Sequence, residues 1–357
     1  MFKKLLKTML VVSVLTVSLS GCASLGPKSI GPDRIDYIQE ISESWKKQML
    51  LNIVKLRYFD PPTFLDVSSI INQYGIENQS NANGGWMWPS SSPLYGFSAG
   101  VGGYSRYSDK PTITYTPLSG QKFTKNLLTA IPPIAVVNLI QSGWPIDMIM
   151  SLTVKTINGV DNNFNGLGVV DEKVEFNNLM QALRTVQLAG VIDIRIQKVN
   201  DKDAIVFLVY DSVNKEKYRQ EMETIRRILK LKPDISSYKI VFGAIANSDD
   251  EIALLTRSTL EIMLEMSSMI EVPAKHVAEK RVKETLSFTR GEWLLTNIYS
   301  GRNKPQDAFT AIHYQDYWFW VDNKDINSKR NFALLMIFLS LTETDQKASA
   351  PLLTIGG

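Results

Sequence analysis

The only cysteine of the chain stands at position 22, and the residues before it govern how the rest is read. Lys3, Lys4 and Lys7 give a positive start, an apolar run extends from Met9 to Leu19, and Ser20 and Gly21 place small residues just ahead of Cys22. A charged start, a short apolar stretch and small residues at a cut are the marks of a secretory signal peptide. The run falls short of the roughly 20 apolar residues a helix needs to span a bilayer. Residues 1–21 are therefore expected to be removed, so that the folded protein begins at Cys22.

The tetrad Leu19-Ser20-Gly21-Cys22 resembles the lipobox of bacterial lipoproteins, a resemblance that covers residues 1–22. It implies cleavage after Gly21 by signal peptidase II, a diacylglycerol on the Cys22 thioether, and N-acylation, with palmitate as an expected chain. A multiply acylated terminus anchors stably where one chain binds marginally, so membrane lipid is the first expected partner. An Asp after the cysteine marks inner-membrane retention in enteric lipoproteins. Ala23 here implies the outer membrane, facing the periplasm. Lipidation of Cys22 would leave no thiol for a disulfide, a nucleophile or a metal site. Loss of Lys3, Lys4 and Lys7 would cancel the formal charge of +3. A neutral chain without basic clusters has no footprint for nucleic acid.

Along the mature chain, residues 22–32 are rich in Gly, Pro and Ser and read as a flexible tether. A helix over 33–57 follows from Ile38, Ile41, Trp45, Met49, Ile53 and Leu56 at three- and four-residue steps, and Asp60-Pro61-Pro62 ends it. Residues 64–74 (FLDVSSIINQY) are β-branched and aromatic enough to read as a strand, with a helix opening at Pro61 as the alternative. The polar, glycine-rich NQSNANGGWMWPSSS reads as mobile or ordered by a partner. Residues 95–102 alternate with period two, and PTITYTP is a short strand.

Two or three short helices are expected over 119–158, broken at Pro132-Pro133 and Pro145. A helix at 172–189 stops at Gly190, and a hairpin joins Ile192–Gln197 to AIVFLVY. A helix at 215–230, a strand at 237–245 and a helix at 249–271 with a Ser248/Glu251 capping-box spacing come next. Strands are expected at 283–289, 293–299, 308–314, 317–322 and 351–355, with a helix at 325–341. The pattern predicts an α+β fold of antiparallel β-hairpins packed with amphipathic helices. It divides near 160–172 into an N-terminal α/β region (33–160) holding the Gly/aromatic-rich hairpin and a C-terminal α+β domain (161–357).

The mature chain has two histidines and no set of three or four ligands at metal spacing. His276, in the charged run AKHVAEKR, is expected to face solvent, and His313 to be partly packed in its strand. No Gly-x-Ser-x-Gly elbow, P-loop or dinucleotide fingerprint is present. No catalytic residue, metal ligand or cofactor is assigned. Aromatic clustering is the most unusual feature: Tyr314, Tyr317, Trp318, Phe319 and Trp320 crowd one hairpin, and Trp86 and Trp88 flank the glycine-rich segment. Trp86, Trp88, Trp318 and Trp320 are the candidate binding residues, since flat rings suit stacking on sugars or anchoring of a protein. If Gln315-Asp316 is a two-residue turn, His313 faces Trp318 across the hairpin.

Residues 64–76 and 95–107 also suggest one outer-membrane-type hairpin per subunit of a shared barrel, by architectural analogy with curli-type secretion lipoproteins. Asp66, Ser68 and Asn72 interrupt the lipid-facing row, so a soluble hairpin is the preferred reading. The stretches LRYFDPPTFLDVSSI, PTITYTPLSG and DYWFWVDNKDINSKRNFALL resemble a group of proteobacterial envelope lipoproteins; that resemblance implies envelope location and brings no activity. The expectation is a non-catalytic, lipid-anchored component of an envelope assembly, with envelope proteins or further copies of itself as partners. A glycan hydrolase working through a carboxylate pair, or a small-ligand receptor, is the alternative.

Overall fold

A computed structural model describes residues 25–71, 74–87, 96–162, 174–199, 202–210, 216–285 and 296–341. The fold is α+β, and its contacts divide it into two compact units: residues up to Pro62 together with those from Lys125 onward, and residues 63–124. The expected division near 160–172 is not where the chain separates. Strand β5 (Val154–Ile157) turns through Asn158-Gly159 into β6 (Val160–Asp161), and β5 pairs with β10 (Glu251–Thr256), nearly a hundred residues on. Asn158 and Gly159 both have positive φ, 47° and 79°, so this Asn-Gly pair makes a tight hairpin turn just ahead of the expected boundary, of which residues 163–172 lie outside the described residues.

In the first unit, helix α1 (Leu25–Arg57) begins eight residues earlier than expected and runs through the supposed tether, with Pro32 inside it. Proline is tolerated in a first turn; Pro32, further in, forgoes one backbone bond without ending the helix. Only the second half of the helix is in the core: Met49, Leu50, Ile53 and Val54 are fully buried, whereas Ile30, Ile35 and Ile38 are exposed.

Short helices α3 (Pro133–Gln141) and α4 (Ile146–Thr153) start just after Pro132 and Pro145, as expected. Helix α2 (Gln121–Leu128) precedes them. Helix α5 (Val174–Leu188) ends before Gly190, whose φ of 67° suits the left-handed position after a helix. β7 (Ile192–Val199) and β8 (Lys202–Val209) form the expected hairpin. Helix α6 (Arg219–Leu229) then leads to β9 (Ser237–Phe242).

These strands form one six-stranded sheet in the order β6-β5-β10-β9-β8-β7, with β9 and β10 parallel and the other neighbours antiparallel. The connection between the parallel pair, residues 243–250, is short for a crossover, which usually takes a dozen or more residues. The expected helix over 249–271 is wrong in its first half: Glu251–Thr256 is strand β10, and the helix, α7, is Thr259–Ser268. EIALLT packs as a buried inner strand, and the capping box belongs to Ser258 and Glu261, each bonding the other's backbone amide. Arg257, 4% exposed, donates to the carbonyls of Ser151, Leu152 and Val154, placing its charge at the negative C-terminal end of α4.

The rest of this unit is helix α8 (Ala274–Ala278), a three-stranded sheet in the order β11-β13-β12 (Tyr299–Gly301, Tyr317–Asp322, Ala308–Tyr314) and helix α9 (Ile326–Leu341). Residues 283–285 carry no strand; the remainder of the expected 283–289 and 293–299 strands lies mainly outside the described residues, and 351–355 wholly so. Helix α1 packs on α7, β12 and β13.

The second unit is built from two successive antiparallel ladders. β1 (Phe64–Ile71) pairs with β4 (Thr112–Leu118), with a bulge near Ser68, and β2 (Tyr74–Met87) pairs with β3 (Gly96–Asp109) without a break from Tyr74↔Asp109 to Met87↔Gly96. The expected pairing of 64–76 with 95–107 is thus shifted. The glycine-rich stretch read as mobile or ordered by a partner is, up to Met87, strand β2.

Candidate functional site

Three elements of the first unit meet around Tyr58. Helix α1 ends in a Schellman motif: the Phe59 amide bonds the Leu56 carbonyl, and the Asp60 amide bonds the Lys55 carbonyl. Phe59 takes the left-handed position usually given to glycine, with φ 62°, and its ring is 71% exposed. This turn carries Tyr58 inward and Asp60 toward the β12–β13 hairpin. Gln315 and Asp316 form the tip of that hairpin with φ 46° and 68°, as a type I′ turn requires. Helix α8 starts after Pro273 and brings in His276.

The Tyr58 hydroxyl and His276 Nδ1 lie 2.7 Å apart in the interior, and the Tyr314 hydroxyl donates to Asp60 Oδ2. Tyr58 is ringed by Tyr314 at 5.5 Å, His276 at 5.6 Å and Phe319 at 6.2 Å between centroids, and Tyr317 packs edge-on to His276 at 4.9 Å. Burial, reinforced by Tyr314, pushes the Tyr58 phenol up to about 12. Burial and the hydrogen bond to Asp60 raise Tyr314 as well. His276 is lowered by burial and then by the nearby Arg281 charge, so its ring is neutral at neutral pH. Tyr58 therefore keeps its proton, and its hydroxyl and the neutral imidazole share one hydrogen bond at Nδ1 whose direction is set by the ring tautomer. Beside it, Arg57 Nη2 donates to the Lys283 carbonyl at 2.8 Å, tying the same end of α1 to the segment after α8.

Such an array superficially resembles an acid–base relay. General catalysis works best with a pKa near the operating pH, whereas here the phenols are moved away from neutrality and the imidazole is 1% exposed. Its chemistry is that of a clamp holding α1, α8 and the hairpin together.

His276 is therefore buried, not solvent-facing: the charged run AKHVAEKR is a short helix whose one inward side chain is the histidine. His313 is exposed although its ring packs on Trp318 at 5.4 Å, and the register His313↔Trp318 is the one expected from a two-residue turn. Trp318 and Trp320 lie two residues apart and so share one face of β13, opposite Phe319, which is fully buried. Trp320 is committed to packing: it lies 5.9 Å from the Tyr299 ring, and a Cβ on Gly301 would come within 3.3 Å of it. Trp318 is half-buried, with Lys304 Nζ 5.5 Å from its ring. Trp86 is in the other unit, opposite Phe97 in the β2–β3 ladder. Trp88, Gly21 and Cys22 lie outside the described residues.

Neither Tyr58 nor Asp60 stands out in the sequence, and His276 reads there as solvent-facing. Asp60-Pro61-Pro62 reads as a helix stop and nothing more, and only Pro273 ahead of the His276 run hints at an ordered turn.

Among the described residues, no group of His, Cys, Asp and Glu is placed to hold a metal, and no helix is long and apolar enough to cross a membrane. Comparison with known protein families, with curated proteins and with solved structures finds no significant match.

Proposed function

We propose that this chain is a lipid-anchored lipoprotein of the bacterial envelope, held on the periplasmic side of the outer membrane through acylated Cys22, and that it acts as a non-catalytic component of an envelope assembly. The observation that carries the reading is the lysine-rich, apolar leader ending in Leu19-Ser20-Gly21-Cys22. The buried cluster supports the non-catalytic half. The phenols and imidazole that would carry acid–base work are spent on joining three elements, with pKa values displaced from neutrality by burial. Mass spectrometry of the N-terminal peptide tests the anchor. A diacylglyceryl and an N-acyl group on Cys22 are expected, with membrane release in Cys22→Ser; an intact residue 1–21 leader would overturn it. Affinity capture of the membrane-bound protein tests the assembly. Recovery of stoichiometric envelope partners or of further copies of the chain is expected.

A further inference from the structure

Helix α8 buries one of its own side chains, and that side chain can titrate. The helix lies between two buried apolar residues, Ile270 and Val282, and most of the positions between them are exposed. Within Ala274–Ala278 only His276 is buried. The helix closes in a Schellman motif of its own: the Arg281 amide bonds the His276 carbonyl, and the Lys280 amide bonds the Val277 carbonyl. Lys280 sits there at φ 59°, a conformation that favours glycine, so this end of the helix adds strain and no support. Five residues are too few for a helix to persist through its own hydrogen bonds. What holds it is the reach of His276 to the Tyr58 hydroxyl on α1 and to the Tyr317 ring on β13.

An apolar side chain would hold α8 down at any pH, whereas an imidazole does so only while neutral. The ionisable groups around it come from each element that packs there. From α1 come Tyr58, which feels the charge of Arg57, and Asp60, which is bonded by Tyr314. From the hairpin come Tyr317, with Arg302 Cζ 5.9 Å from its ring, and Asp316 at the exposed tip. From α8 and the turn after it come Lys275, Glu279 and Arg281. Glu279 is already paired with Arg281 at 2.8 Å and with Lys275 at 3.7 Å, so these three groups together are net positive. A proton on the ring would bring a full charge among phenol and phenyl rings, and among the described residues no carboxylate contacts that ring to receive it. Such a charge is costly to keep buried and is stabilised by hydration. The lowered pKa of His276, from burial and then from Arg281, agrees with this geometry.

We propose that α8 is an acid-released strap: protonation of His276 lifts residues 274–281 away from Tyr58 and Tyr317, with Ile270 and Val282 as its fixed ends, while the rest of the unit stays folded. In the open strap the imidazole is hydrated and has its ordinary value of about 6.5; in the closed strap it binds a proton less readily. Closure is therefore fully favoured well above that value and weakens as pH falls through it. Opening uncovers Tyr58 and Tyr317 at the end of α1, where the Phe59 ring already stands out, so acid turns a closed corner into an aromatic surface. The release does not depend on lipid at Cys22.

Hydrogen exchange with mass spectrometry on the full purified protein, corrected for the intrinsic rate at each pH, reads the opening. Peptides covering 274–281 should be at least about a hundredfold less protected than peptides from β9 and β10. Their protection should fall severalfold from about pH 7.5 to 5.5, with roughly tenfold as the ceiling for one group of ordinary value near 6.5. His276→Gln keeps a hydrogen-bonding partner for Tyr58 and cannot titrate, so its α8 protection should stay level over that range. Should that variant not fold, wild-type NMR decides: the His276 titration should move the Tyr58 and Tyr317 ring signals together and leave the methyl signals of β9 and β10 in place. Equal protection of α8 and the central strands would mean that the strap opens only when the whole unit unfolds, and would overturn the proposal. So would protection that ignores pH in the wild type, an equal pH slope in His276→Gln, or ring signals that do not follow the titration.

Discussion

Among the described residues, the aromatic antiparallel pairs β12–β13 and β2–β3 stand in different contexts. In β12–β13, one face carries Phe319 and Val321 into the core and Tyr317 onto His276; the other packs Trp320 on Tyr299 and Trp318 on His313. In β2–β3, the ladder is longer and the face bearing Glu77, Gln79 and Asn81 lies open, with no third strand among the described residues. The comparison teaches that aromatic content alone does not mark a binding surface. In β12–β13 other elements consume the rings, and those elements are distant in sequence.

The comparison can be broken by substitutions of graded size. Phe319→Ala should be the most damaging, destabilising the protein by about 3–5 kcal/mol in urea denaturation, since the ring is wholly buried against Tyr58. Tyr58→Phe should cost roughly 1–3 kcal/mol, because it leaves His276 Nδ1 buried without its hydrogen-bond partner.

The same pair sets a pH dependence. The folded His276 pKa lies below its ordinary value, so as pH falls through about 6.5 the unfolded chain takes up a proton that the folded chain refuses. Stability should drop between pH 7.5 and 5.5, and the drop should shrink in His276→Asn; equal slopes in both proteins would contradict the burial argument. At the alkaline end the sign reverses. With Tyr58 raised to about 12, stability should decline from about pH 10 upward as the unfolded phenol ionises first.

Replacing Gln315-Asp316 by Asn-Gly should stabilise by about 0.5–1 kcal/mol, since both positions have positive φ and the native pair is poorly suited to it. Asn81→Ala, on the exposed face of the lone ribbon, should fall within about 0.5 kcal/mol of wild type in detergent-free thermal denaturation. A large loss there would mean that the ribbon is packed and that the contrast between the hairpins is false.

Much of the local structure was legible in the sequence, because proline, glycine and period-two alternation act over a few residues. Pro132-Pro133, Pro145 and Gly190 delimit helices, and the His313↔Trp318 register follows from a two-residue turn. Legibility failed where two local patterns tie. Ser248 and Glu251 have capping-box spacing, and so do Ser258 and Glu261; only pairing with β9 and β5 shows that the residues after Ser248 form a strand. The ribbon register was missed by a few residues because turn chemistry and pairing over so glycine-rich a stretch are weakly specified. The Tyr58–His276 contact joins residues 218 apart in sequence and leaves no local trace.

Helix α1 has one further consequence. It runs from Leu25, and its fully buried residues begin only at Met49. At 1.5 Å per residue, the intervening stretch amounts to about 36 Å of rod. If lipid is attached three residues before that rod, the distance between bilayer and packed core is fixed by a strut and not by a loose leash. Inserting or deleting whole turns in Ile30–Ile38 would change that stand-off in steps of about 5.4 Å, and any partner held at a set height above the membrane would register each step.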